Sequence, residues 1–393
     1  MAPRARAAAS AMTPRERRQA QIAITLCASV YGFTIGLVAP LIAVFLEQHG
    51  FDAGFIGLNA AMTAFGMIAV TPILPRLAAS LGIKRLILGC LLVDALCLLS
   101  FPFVEAVWLW FGLRFFIGAA NNVVFIAAET WINEIAPDAH RGRMLAVFNA
   151  VLVLALSLGP LVMPLTGGAG ASAFVVGAAV IACAALPLAF TGRTEPTLHG
   201  SASFNMLSFI WMAPVVSCAV LLYAWRETGI ASFLPVYSLH HGLPLHAAAI
   251  NLTTMGLGGV TLAYVFGWMA DRFERFRLLG LCGAGIGLCA VLLPLVIHHA
   301  LWRALVLFCW GGLFTGLYTV TLALVGERYK GMELAVANIA IGLLWGLGAL
   351  SGSSLTGAAL SWWDPHGFPL LYTLAGFAFA GFVGWRSLTG RAR

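Results

Sequence analysis

Charge is what this 393-residue chain has least of: charged residues make up 9%, against about 25% in ordinary soluble domains. Its 22 Lys+Arg and 15 Asp+Glu are too few to coat a water-exposed surface of this size. That excludes a soluble protein of roughly two or three domains. No G-x-x-x-x-G-K-[ST] phosphate loop occurs, so ATP is not hydrolysed through that device. No C-x-x-C is present, and all eight cysteines fall inside apolar runs. They read as small, soft packing residues, not as a disulfide framework or a zinc site. The nine histidines make no H-E-x-x-H or H-x-x-x-D pattern, which argues against a membrane-embedded enzyme. The pI is 9.2, yet Lys and Arg are not clustered among aromatics, so no nucleic-acid partner is expected. Neither a metal nor a cofactor is expected.

What the chain has in abundance is apolar surface, with 61% hydrophobic residues and a mean hydropathy of +0.94. Its solvent is a lipid bilayer. A hydrocarbon core of ~30 Å takes about 20 apolar residues per helix. Cutting at charge clusters and Gly/Pro turns predicts about twelve spans. Their centres fall near Thr34, Phe65, Asp94, Gly118, Leu154, Ala179, Arg226, Leu257, Gly285, Phe314, Leu343 and Phe377. The basic head, residues 1–21, precedes a first span that is expected to act as an uncleaved signal anchor; Met12 is an alternative start with the same topology.

Twelve spans place nearly all the basic residues on one side. The groups are Arg4 to Arg18, then Arg76, Lys84 and Arg85, then Arg141 and Arg143, then Arg193, then Arg272 to Arg277, then Arg328 and Lys330, and the tail Arg386 to Arg393. Only Arg303 falls on the other side, while Arg114 and Arg226 fall within spans. The bias predicts both termini in the cytoplasm and a multi-pass protein of the cytoplasmic (inner) membrane.

The second half echoes the first. Gly50, Gly66, Cys90 and Cys97 are followed 192 residues later by Gly242, Gly258, Cys282 and Cys289. Around the fourth and tenth spans, Gly118 and Glu129 pair with Gly316 and Glu327. Leu145, Ala146, Val147 and Asn149 recur as Leu334, Ala335, Val336 and Asn338. A polar stretch with Pro196 lies between the halves. The expected organisation is a first bundle over residues 22–191, a cytoplasmic linker over 192–204 and a second bundle over 205–393.

Local motifs carry a family resemblance. Gly267, Asp271, Arg272 and Arg275 fit the G-x-x-x-D-R-x-G-R loop of the major facilitator superfamily, with Glu274 in place of its second Gly. Arg114 and Gly118 resemble that family's R-x-x-x-G signature, and Gly159-Pro160 resembles part of its exporter signature, with Ala155 and Met163 where glycines stand. Glu129, Trp131, Asn133 and Glu134, followed by Arg141, Gly142 and Arg143, look like the YcaD-like branch. The resemblance implies two pseudo-symmetric six-helix bundles, all-α and integral to the membrane. It also implies that the first, fourth, seventh and tenth helices line a central cavity.

Charged side chains inside spans cost about 2.5–3.5 kcal/mol on insertion scales, so they mark a wet path, a partner or a function. Adjacent helical residues point about 100° apart, so Arg226 and Glu227 are not expected to share a face. Tyr223, one turn back, shares that of Glu227. Glu227 is the candidate proton-coupling carboxylate and Arg226 the candidate anion partner; an ion pair that merely fixes packing is the alternative. In the fourth span Arg114, Gly118, Asn121, Asn122, Phe125 and Glu129 form one stripe. There the two Asn either bind a polar solute or bridge helices. Asp94 is expected to be a satisfied structural carboxylate, with proton handling as the alternative. Tyr31, Trp310 and Tyr318 are candidate cavity walls or, alternatively, core.

At the cytoplasmic ends, Asp271 is expected to dock on the helix N-terminus at Gly142 and Arg143. Gly267, Arg272, Glu129, Arg141, Glu327 and Arg328 complete the candidate gate. The whole reads as a monomeric secondary transporter for a small amphiphilic, anionic or zwitterionic molecule. Proton-coupled efflux by alternating access is the leading expectation, with proton-coupled uptake as the alternative and a membrane sensor on the same scaffold as a remote one. Its partners would be the solute, protons and the bilayer.

Overall fold

The computed structural model describes residues 14–135, 141–189, 213–329 and 332–389, and among these it is helical with no strand. The first half holds α1 (Pro14–Gln48), α2 (Ala53–Val70), α3 (Ile83–Ser100), α4 (Leu109–Ile135), α5 (Arg141–Leu158) and α6 (Ala171–Ala189). There follow α7a (Pro214–Trp225), a π-turn (Arg226–Ile230) and α7b (Ala231–His240). Then come α8 (Leu245–Arg272), α9 (Arg275–Val296), α10 (Ala300–Arg328), α11 (Met332–Trp362) and α12 (Gly367–Leu388). Among the described residues, eleven helices are each long and apolar enough to cross a membrane. α7a, the π-turn and α7b run on without a break and supply the twelfth span. Helices are the form this composition permits, because each satisfies its own backbone without water. The all-α membrane fold read from the sequence is therefore borne out. The basic head through residue 13, linker residues 192–204 and the tail beyond residue 389 lie outside the described residues.

The repeat is visible in how helices end. Gly50 and Gly242 close α1 and α7b at φ of 80° and 72°. In both, the next amide reaches back to the same carbonyl, Phe51 to Leu46 and Leu243 to Ser238, at 3.1 Å each. This is the six-to-one closure that a left-handed residue permits.

The chain divides into two compact units, residues 1–38 with 62–201 and residues 39–61 with 202–393. Within the first, α3 packs on α4 and α6; within the second, α9 packs on α10 and α12. Both units also share a crossing made by glycines. Gly66 on α2 leaves no room for a side chain beneath the Phe115 carbonyl, nor does Gly118 beneath that of Thr63. Gly258 meets the Phe308 carbonyl and Gly311 meets that of Met255 in the same way. The structural counterpart of Gly118 is therefore Gly311, which corrects the pairing with Gly316 and moves the partner of Glu129 to Leu322. Gly316 instead faces the ring of Phe266. Small residues recur so often here that identity alone does not fix the register; the carbonyl contacts do.

Gly159 has a packing role as well. A Cβ there would come 2.7 Å from the Gly36 carbonyl carbon and the Leu37 nitrogen, so α1 and the end of α5 touch backbone to backbone. Glycines at such contacts are what lets membrane helices approach closely.

Gly118→Val and Gly311→Val should each lower stability by at least about 1–3 kcal/mol, the usual range for overpacking. Gly267→Ala should be neutral, since nothing lies within 4 Å of a Cβ at that position. Thermal melting in detergent distinguishes the two outcomes.

Candidate functional site

The seventh span carries a buried polar cluster in the second unit. Tyr223 Oη and Arg226 Nη1 donate to the same oxygen, Glu227 Oε1, at 3.2 and 3.1 Å. The Arg226 and Glu227 side chains are 9% and 14% exposed. Tyr318 stacks on Tyr223 with ring centroids 4.4 Å apart. Glu227 Oε2 accepts no hydrogen bond from the described residues.

The Arg226–Glu227 pair departs from the expectation that these neighbours point to different faces and matches the mutual ion pair kept as the alternative. They stand in a π-turn, where i→i+5 bonding winds the chain less per residue than an α-helix, and the long arginine covers the remaining angle. The turn is held from outside. Tyr372 Oη donates to the Trp225 carbonyl at 3.1 Å and lies 2.9 Å from Thr356 Oγ1. Trp225 Nε1 donates to Ser351 Oγ at 3.0 Å, and Thr228 Oγ1 to the Ala349 carbonyl at 2.8 Å. Gly229 gives Thr356 and Tyr372 the space to reach in, while Gly348 and Gly352 let α11 close on α7a. Sequence reading missed this bracket; the Gly348-x-x-x-Gly352 spacing was its available signal.

Trp310 is fully buried and belongs to an aromatic core, its ring perpendicular to Tyr372 at 5.7 Å and close to Phe368 at 6.2 Å. Gly259 and Thr315 lie beside Arg226: a Cβ on Gly259 would stand 2.7 Å from Thr315 Oγ1 and 3.7 Å from Arg226 Nη2.

In the first unit Arg114 is buried, and its Nε and Nη2 have no hydrogen-bond partner among the described residues. Asn121 donates to its own helix at Ile117 O, 3.0 Å away, and its Oδ1 is buried without a partner. Asn122 bridges helices, donating to Met67 O at 2.9 Å and Thr71 Oγ1 at 3.1 Å. Tyr31 stacks on Phe125 at 4.8 Å.

At the arginine-bearing ends, Glu327 pairs with Arg275, which also donates to the Ala323 and Ala270 carbonyls. Arg272 lies instead over the ring of Trp268 at 4.3 Å. Asp271, Arg328 and, near the end of α4, Glu129 are exposed. The side chains at Arg141 and Gly142 lie outside the described residues.

Residues 24–353, and again residues 216–392, match the family profile of the Major Facilitator Superfamily. The chain belongs to that superfamily. It is similar to the uncharacterized MFS-type transporter YfkF of Bacillus subtilis, 27% identical over 65% of this chain and 67% of that one. It is also similar to the uncharacterized MFS-type transporter YcaD of Salmonella arizonae, 21% identical over 82% and 84%, which bears out the YcaD-like resemblance. Among solved structures, the nucleoside transporter NupG aligns over 96% of this chain and 99% of its own with a TM-score of 0.74 at 15% identity. A D-xylose-proton symporter aligns over 92% and 96% with a TM-score of 0.73 at 14% identity. These two show the fold; the family match is what makes the chain a multi-pass membrane protein of a transporter family.

Two further clusters lie in the second unit of this superfamily member. Arg303 is buried, donating from Nε to Asn251 Oδ1 at 2.9 Å and from Nη1 to the Ile297 carbonyl at 2.5 Å. Asn251 in turn donates to Ser238 Oγ at 3.1 Å. At the exposed end of α7b, His240 places Nε2 2.5 Å from Glu47 Oε1 and Nδ1 2.6 Å from Asp364 Oδ1. Both ring nitrogens thus face carboxylates, an arrangement that only the doubly protonated imidazolium satisfies. The bond to Glu47 contributes most to holding the His240 pKa up at about 9, with partial burial opposing it and Asp364 adding to it.

Tyr372→Phe should cost at least about 1–3 kcal/mol, because it leaves the Trp225 carbonyl without its outside donor; melting of the purified protein measures it. The contribution of His240, read as the melting difference between the native chain and His240→Gln, should follow the raised pKa. It should be full below about pH 6.5, the ordinary imidazole value, and be lost as pH rises through about 9.

Proposed function

We propose that this chain is a proton-coupled secondary transporter of a small solute bearing an anionic group, working by alternating access with Glu227 as the proton-carrying carboxylate. The observation that supports this most is the convergence of Arg226 and Tyr223 on one oxygen of a buried Glu227. While Glu227 is ionised, it occupies Arg226. A proton on Glu227 removes that negative charge and leaves the guanidinium available to a carboxylate or phosphate of the solute. Proton and anion then bind together, and one favours the other. Arg114, with two buried donors unpartnered, supports an anionic group as well, since such donors are costly unless a partner arrives.

Co-binding of proton and anion makes symport into the cell the reading favoured for an anionic solute. Each pH unit of gradient is worth about 1.4 kcal/mol, a tenfold accumulation. Export in exchange for protons is the second reading, supported by the Gly159-Pro160 signature and its contact with α1. It suits a solute whose cationic group competes with the proton for Glu227. In both, Arg275, Glu327 and Asp271 form part of the cytoplasmic gate.

The test is a panel of small carboxylates, phosphorylated metabolites, zwitterions and amphiphilic amines, offered to proteoliposomes with an imposed pH gradient. Acidic exteriors should drive concentrative entry of an anion through the native chain. Glu227→Gln should abolish accumulation while leaving exchange down a gradient, and Arg226→Ala should abolish both. Concentrative transport by Glu227→Gln with unaltered pH dependence would remove Glu227 from the coupling role. Entry driven by an alkaline exterior would select the exchange reading.

A further inference from the structure

Asp94 sits in the middle of α3, fully buried at 0% exposure. Neither carboxylate oxygen has a hydrogen-bond partner among the described residues. The satisfied structural aspartate expected from the sequence is therefore not what the fold holds. A buried polar group without a partner is destabilising, and it persists where it serves something other than stability.

The charged and titratable surroundings do not neutralise it. Cys90, one turn before, and Cys97, one turn after, are within electrostatic reach. The helices packed on α3 are α4, α6 and the short helix Leu74–Leu81. α6 carries only Cys183, which is exposed, and the short helix only Arg76, also exposed. α4 brings Arg114 and Glu129, neither within ion-pair distance of Asp94, and Glu134, whose side chain lies outside the described residues. Lys84 and Arg85 stand at the far start of α3.

The repeat supplies an internal control. Cys90 and Cys97 correspond to Cys282 and Cys289, so the residue matching Asp94 is Ile286, which is equally buried. α9 packs on α10 and α12 as α3 packs on α4 and α6. One framework thus accepts isoleucine at this place in one unit and holds a bare carboxyl in the other. Packing does not require the acid.

We propose that Asp94 is a proton-binding site of the first unit, separate from Glu227, loading and releasing one proton as α3 is wetted and dried during the transport cycle. Nothing else is consumed: a carboxylate oxygen takes a proton from water in the pathway and returns it there. The site stands whether or not Glu227 is the coupling carboxylate.

The test uses the full chain in lipid nanodiscs, without any solute. Infrared difference spectra across a pH series should show a protonated-carboxyl band in the native chain and in Glu227→Gln. That band should be missing from Asp94→Asn and Asp94→Ile, with one proton fewer released per chain on an alkaline step. Asp94→Ile should also melt higher than the native chain, because it restores the residue of the matching unit. If Asp94→Ile does not fold, Asp94→Asn, close in shape, decides by its spectrum. A native spectrum indistinguishable from that of Asp94→Asn, or equal proton release from both, would overturn the proposal.

Discussion

A backbone that enters hydrocarbon must satisfy its own amides and carbonyls, and most of this structure follows from that constraint. It makes every described span a helix and leaves helix association to close fit, since lipid tails are as apolar as leucine. Glycine provides the fit: Gly66 with Gly118, Gly258 with Gly311, and Gly36 with Gly159 remove side chains where one backbone rests on another. A departure from α-helical bonding in the middle of a span, the π-turn at Arg226–Ile230, is held in place because Tyr372, Thr228 and Trp225 tie it to α11 and α12. Where the backbone rule is relaxed, side chains from two other helices repair it, and there the buried ion pair sits.

The charges obey a related rule. Arg226 is paired, Arg303 donates to Asn251 and Ile297, and His240 is bracketed by two carboxylates. Arg114 and Asp94 are not engaged in this way. In a low-dielectric interior a satisfied network rigidifies and an unsatisfied group is a liability. The division separates side chains engaged within the fold from two, Arg114 and Asp94, whose buried polar atoms have no partner among the described residues.

Much of this was legible in the sequence. The span count follows from apolar run length, and the duplication from cysteines and glycines at one offset. The paired helix ends at Gly50 and Gly242 show the same duplication. What sequence periodicity missed depends on partners far along the chain. An ideal α-helix separates Arg226 from Glu227, and only α11 and α12 create the turn that joins them. Asn121 and Asn122 are the same residue type side by side in the sequence, yet it is Asn122 that lies across from Met67 and Thr71. Trp310 has the composition of a cavity wall but the neighbours of a core residue. Arg272 and Arg275 are equally basic, and only the course of α10 selects Arg275 for Glu327.

The central claim is that a proton on Glu227 and an anion on Arg226 exclude the same contact. Maps of the protein at acidic and at alkaline pH, each without solute, test it most directly. The account predicts the Arg226–Glu227 contact of 3.1 Å intact at alkaline pH, and parted at acidic pH with the guanidinium turned away from Oε1. An identical contact at both extremes would contradict it.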